Sequence, residues 1–142
     1  RAFAASMEER DVDAASPAQR FVDDIRRRSG AFRACLLPSP RDGSACKRLF
    51  LFLRWMVRRD EIDTGLWSGL VSPAMLLVPL DTHMHRIARS RGLTGRRSAD
   101  LRAAREATEC FRAVSPSDPV KYDFALTHEE MGGAGREEEC DD

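Results

Sequence analysis

The sequence predicts an all-α protein, on three observations. Apolar residues recur at helical spacing in successive stretches of the chain. Those stretches are bracketed by capping residues ahead and by glycine or proline behind. The apolar/polar alternation that marks a half-buried strand is nearly absent, and no internal repeat is visible.

Residues 1–15, RAFAASMEERDVDAA, are polar with weak periodicity, which fits a frayed helix or the end of a longer element. Ser16 then offers a cap and Pro17 a first helical position. Phe21, Val22 and Ile25 share one stripe and Gly30 stands as terminator, so a helix is predicted over 17–29. The two prolines, aspartate and glycine of LPSPRDG (37–43) predict a turn. Ser44 is the predicted cap of KRLFLFLRWMVRR, in which Leu49, Phe52, Leu53, Met56 and Val57 stand at helical spacing and Phe50 and Trp55 widen the apolar face. This is the expected central helix, with Trp55 substantially buried. DEIDTGLWSGLVSPAMLLVPL (60–80) mixes short apolar pieces with glycine and proline, predicting a loop, a short helical turn around 72–77 and an extended approach to Pro79.

Asp81 caps the next predicted helix, whose buried stripe is Met84, Ile87 and Ala88 and which ends at Gly92. Ser98 opens another, with Leu101, Ala104, Thr108 and Phe111 on one side. In SPSDPVKYDFAL (115–126), Asp118 is the expected cap, Pro119 the first helical residue, and Val120, Tyr122 and Phe124 the packing groups. The final GGAGREEECDD is glycine-rich, then acidic, and predicts disorder. The organisation expected is an N-terminal helical segment over 1–40, a helical domain over 41–127 and an acidic disordered tail over 128–142. Because the chain begins at Arg1 rather than methionine, it is expected to be the C-terminal fragment of a longer protein.

A chain of 142 residues is long enough to bury a core without disulfides. Its four cysteines, Cys35, Cys46, Cys110 and Cys140, form no Cys-x-x-Cys pair, which argues against a zinc or iron–sulfur site and for a reducing, cytoplasmic setting. No unbroken apolar run reaches about 18 residues, so no membrane span is expected. Net charge is zero, from 23 basic and 23 acidic residues, but the distribution is uneven. Residues 41–112 carry 14 Lys/Arg against 8 Asp/Glu, whereas residues 113–142 carry 2 against 9. A basic middle ahead of an acidic end is compatible with a phosphate-binding surface, as is a set of arginines that are simply solvated.

Two residues stand out chemically. Lys47 falls in the first turn of the central helix, where the positive end of the helix dipole disfavours a cation and favours the neutral amine that a Schiff-base nucleophile requires. Asp81 falls at the start of another helix, where a carboxylate can accept the amine's proton or offset positive charge developing on a sugar ring. Together they suit cleavage of a glycosidic bond on a nucleotide flipped out of its stack. Read alone, Asp81 is an ordinary N-cap and Lys47 an ordinary surface charge. His83 and His85, two apart, point to different helix faces and predict no shared metal site. His83 is better suited to capping or to contacting phosphate.

PLDTHMHRIARSRGL resembles the aspartate-bearing segment of the helix-hairpin-helix DNA glycosylase superfamily, in which V-D-T-H or V-D-V-H opens a helix ending in R-x-G-L. By that resemblance Asp81 matches the catalytic aspartate. Lys47, after the turn containing Gly43, matches the catalytic lysine of the bifunctional members. The long separation of the two is similar to the archaeal 8-oxoguanine glycosylase branch. FLRWMVRRDEID, VPLDTHMHRIARSRGLT and DPVKYDFAL together are closer still to an uncharacterised bacterial family described as a domain of unknown function. SPRDGSACK departs from the superfamily's L-P-G-V-G-x-K-T-A hairpin in offering a single glycine, Gly43, to hold phosphate.

The resemblance implies a helical bundle like the glycosylase lobe, and a DNA glycosylase with AP lyase activity in base-excision repair of an oxidised purine. Lys47 would attack C1′, Asp81 would activate the amine and stabilise the oxocarbenium-like transition state, and Gly43, Arg48, His83, Arg86 and Arg89 would contact DNA. The implied partner is damaged or abasic duplex DNA, with no cofactor, metal or membrane, in a bacterial cytoplasm near the nucleoid. Rival readings are a catalytically silent DNA-binding or protein-interaction module of the same fold, and a purely structural helical domain.

Overall fold

The computed structural model describes residues 3–29, 37–123 and 125–127. Gly30, the side chain of Phe124 and the acidic tail lie outside the described residues, as do Cys35 and Cys140. Four α-helices organise the described chain: α1 (Ala15–Ser29), α2 (Lys47–Val57), α3 (Thr82–Ser90) and α4 (Leu101–Val114). Short 3-10 turns occupy Ala4–Ser6, Pro40–Asp42 and Pro73–Met75. Among the described residues the only β pairing is isolated bridges, such as Ser44 with Asp100, and no helix is long and apolar enough to cross a membrane. The molecule is therefore all-α, as predicted.

One apolar core joins these elements. Val22 of α1, Leu49, Phe50, Leu53 and Val57 of α2, Met84, Ile87 and Ala88 of α3, and Ala104, Ala107 and Phe111 of α4 are all buried within it. The extended run Leu76 to Leu80 threads between the helices with Leu76, Leu77, Val78 and Leu80 almost fully buried. An extended segment in a helical core needs partners for its peptide groups. Val78 N–H donates to Thr108 Oγ1 at 3.0 Å, and the Thr108 hydroxyl donates to the Ala104 carbonyl at 2.6 Å. Thr108 thus lies on the buried side of α4, as its spacing predicts, and also stitches the run to the helix.

Residues ahead of α1 are less peripheral than their polarity suggests. Phe3 is fully buried, stacked on Trp67 with ring centroids 5.9 Å apart and edge-on to Phe21 at 5.8 Å. α1 starts at Ala15, so Ser16 lies inside the helix rather than capping it. Asp13 supports the start instead: its Oδ1 accepts from Ala15 N–H at 2.9 Å while Arg105 of α4 holds the same carboxylate at 2.7 Å.

Three further starts shift for equally local reasons. Ser44 Oγ accepts from Cys46 N–H at 3.3 Å, two residues too early to cap, and α2 begins after Cys46, which has a left-handed backbone (φ 46°) and no side-chain cap bond. Asp100, not Ser98, caps α4 by accepting from Ala103 N–H at 2.8 Å, while Arg96 binds the same carboxylate. Asp118 does not cap a helix at Pro119, because both its oxygens accept from Arg58 Nε, at 2.9 and 3.0 Å. Residues 119–122 are turns, with Val120 fully buried and Tyr122 exposed rather than packed. Gly92 behaves as predicted: at φ 71° it ends α3, and Leu93 N–H returns to the Ala88 carbonyl at 2.7 Å.

Trp55 is the largest correction to the predicted core. It is 46% exposed, because the buried stripe of α2 runs through Leu49, Phe50, Leu53 and Val57 and leaves Trp55 on another face. Phe52 is also partly exposed, edge-on to Trp67 with centroids 5.6 Å apart.

Candidate functional site

α2 and α3 present their N-termini to one another. The turn ahead of α2 is set by Gly43 at φ 74°, whose carbonyl accepts from Leu101 N–H at 2.9 Å and so ties the turn to α4. Lys47 follows as the first residue of α2 and Asp81 is the N-cap of α3. The two carboxylate oxygens of Asp81 divide their work: Oδ1 accepts from Met84 N–H at 2.7 Å, and Oδ2 accepts from Lys47 Nζ at 2.6 Å. Burial pushes the Asp81 carboxyl up, but the Lys47 hydrogen bond, the Met84 N–H and the charge of Lys47 outweigh it and hold the group below the ordinary carboxylate range. Asp81 therefore stays anionic beside the amine. The pair is half open to solvent, with side-chain exposures of 46% for Lys47 and 34% for Asp81.

This pair sits on a cavity of about 340 Å³. Lys47, Leu51, Arg54 and Trp55 line it from a single face of α2, at the i, i+4, i+7, i+8 spacing of a helix. Pro79, Asp81, His83 and Met84 line it from the start of α3, and Asp123 and Thr127 from the end of the described chain. A largely apolar cavity of this size with a few convergent polar groups is the usual form of a small-ligand site.

The inner wall holds a buried network of charges. Arg54 donates from Nε to Asp63 at 3.2 Å and from Nη1 to Asp123 at 2.5 Å. Arg58, one turn on, donates to the same Asp63 Oδ2, to Asp60 at 2.9 Å and to Asp118. Burial works against the Arg58 charge, but Asp118, Asp60 and Asp63 outweigh it and keep the guanidinium firmly protonated. Cys46, next to Lys47, is a packed thiol: burial pushes it up, away from the thiolate form that would compete as a nucleophile.

Of the residues singled out from the sequence, Lys47, Asp81 and His83 meet at this cavity. Gly43, Arg48, Arg86 and Arg89 are exposed and do not line it. Arg86 Nη2 donates to His83 Nδ1 at 2.9 Å, so the nitrogen that accepts is Nδ1. His85 turns away, its Nε2–H donating to the Arg96 carbonyl at 3.0 Å. Arg54, Trp55 and Asp123 were missed as site residues. The signal was present in the spacing Lys47, Leu51, Arg54, Trp55, which places an arginine and an aromatic ring on the lysine's own face of α2.

No curated protein and no solved structure gives a significant match to the chain. Residues 1–132 match the family described as a protein of unknown function, DUF2400. Since that match spans nearly the whole sequence, the chain belongs to the DUF2400 family.

Proposed function

We propose that the protein is a DNA glycosylase with AP lyase activity, acting on an oxidised purine, with Lys47 as nucleophile and Asp81 as its electrostatic partner. The observation that supports this most is the 2.6 Å contact between two groups 34 residues apart on the wall of a cavity with room for a nucleobase. A helix cap needs one carboxylate oxygen, and Asp81 gives its second to an amine.

In this reading Lys47 passes a proton to Asp81, and the neutral amine forms a bond to C1′ of the extruded nucleotide. The C1′–N9 bond breaks as that bond forms, its electrons leave with the base, and N9 takes a proton released from the amine. The sugar ring then opens: the nitrogen lone pair forms the C=N bond as the C1′–O4′ bond breaks, and O4′ leaves with that bond's electrons and takes the proton held on Asp81, giving a protonated imine. Returned to its carboxylate by that transfer, Asp81 offsets the positive charge of the imine. Arg48 and Arg89, exposed on the same two helices, supply phosphate contacts.

The test is release of 8-oxoguanine from a duplex followed by strand incision. Asp81→Asn retains a side-chain oxygen for Met84 N–H but lacks the anion, so the rate is expected to fall by orders of magnitude in a folded protein. An Asp81→Asn protein as active as the parent contradicts the role assigned to the carboxylate.

A further inference from the structure

Arg54 is the cavity-lining group with the most unusual surroundings. It is 4% exposed, and two carboxylates fix its orientation, Asp63 on Nε and Asp123 on Nη1. A guanidinium carries five N–H donors in a rigid fork. Nη2 has no hydrogen-bond partner among the described residues. The open space bordering Arg54 is the cavity. Arg54 lies seven residues beyond Lys47 on the same face of α2, about 10 Å along the axis at 1.5 Å per residue. A spacing of that order takes in the length of a purine together with a hydrogen bond beyond its far edge. Next to Arg54 the indole of Trp55, 46% exposed, provides a ring face on the cavity wall.

The geometry points to Arg54 as the residue that selects the ligand: Nη2 donates to an exocyclic carbonyl oxygen of a planar heterocycle lodged against Trp55, so that the cavity takes oxo-purines in preference to purines lacking that oxygen. This inference rests on reading the cavity as the seat of an extruded base. A charged donor that is already oriented strengthens a bond to such an oxygen, and leaving it unpaired beside an oxygen-free ligand carries a penalty. Asp63 and Asp123 are then positioning residues for Arg54.

The experiment compares inosine with nebularine, which lacks the carbonyl at C6 and the N1 proton, by titration calorimetry on the intact chain. Inosine is expected to bind at least about tenfold more tightly, and Arg54→Gln is expected to remove that preference. Equal binding of the two nucleosides by the parent, binding of neither, or a preference that survives in folded Arg54→Gln overturns the inference. The parent comparison decides the matter should Arg54→Gln fail to fold once Asp63 and Asp123 lose their partner. Borohydride trapping on abasic duplex, which has no base to select, separates this from the lyase reading. Trapping lost with the inosine preference intact counts against Lys47 as nucleophile and leaves Arg54 as the selector. Trapping retained with no preference overturns Arg54 alone.

Discussion

Helix α2 carries two ion-paired cations that the fold treats in opposite ways. At its first residue Lys47 meets Asp81 in a pair half open to water. Two turns later Arg54, with Arg58 beyond it, is sealed against Asp63, whose side chain has no exposure at all. Exposed pairs contribute little to stability because water screens them and long side chains lose freedom in making them. Buried pairs contribute little net stabilisation as units, yet breaking one leaves an uncompensated charge away from water. A pair that holds the fold together belongs in the second setting. A lysine that must shed a proton and form a new bond belongs in the first, where its release costs the fold little.

The sharpest way to break this comparison is at Asp63. Asp63→Ala removes the acceptor shared by Arg54 and Arg58, and is expected to cost about 3–5 kcal/mol in urea unfolding. A loss below about 1 kcal/mol would mean that the network is hydrated and the two settings do not differ. Smaller effects are expected at the open pair. Asp81→Ala should cost about 1 kcal/mol through the lost cap, Asp81→Asn a few tenths, and Lys47→Gln less than about 1 kcal/mol. A loss at Lys47→Gln as large as that at Asp63→Ala would make the lysine structural.

The smallest effect is in acid. Asp81 is held below the ordinary carboxylate range, and so is Asp60, where burial is outweighed by the N–H groups of Asp63 and Ile62 and by Arg58. At Asp100 the Arg96 guanidinium is the chief cause. A carboxylate lowered by folding contributes stability that is fully present above its unfolded value, about 4, and is lost as pH falls through the folded value. Unfolding free energy is therefore expected to decline only below about pH 4 on account of these groups, with a slightly shallower decline in Asp81→Asn. An identical decline in both proteins would contradict the assignment at Asp81.

The helices α2, α3 and α4 were legible because each buries a stripe at helical spacing, and Asp81 because a carboxylate ahead of Thr82 caps by a purely local bond. Starts depending on distant partners were not. Asp118 is spent on Arg58, sixty residues away in sequence, and Asp13 does for α1 what Ser16 was expected to do because Arg105 of α4 fixes it. Trp55 was misread for a related reason. An aromatic residue on an apolar helix looks like core until a cavity is placed beside it, and the walls that face α2 across that cavity come from the start of α3 and from Asp123 and Thr127, distant in sequence. The site was half legible: Lys47, Asp81 and His83 were named and converge, whereas Arg54 reads from the sequence as one more solvated arginine. Its burial depends on Asp63 and Asp123, one in a loop and one beyond α4.

The central claim is that Lys47 is a nucleophile. It is tested most directly by incubating the chain with an abasic duplex in the presence of borohydride, which reduces a protonated imine to a stable amine, and by mapping the cross-linked residue by peptide mass. The account predicts one adduct, located on Lys47, absent in a folded Lys47→Gln protein and much slower to form in Asp81→Asn. No adduct with the parent, or an adduct that persists without Lys47, contradicts it.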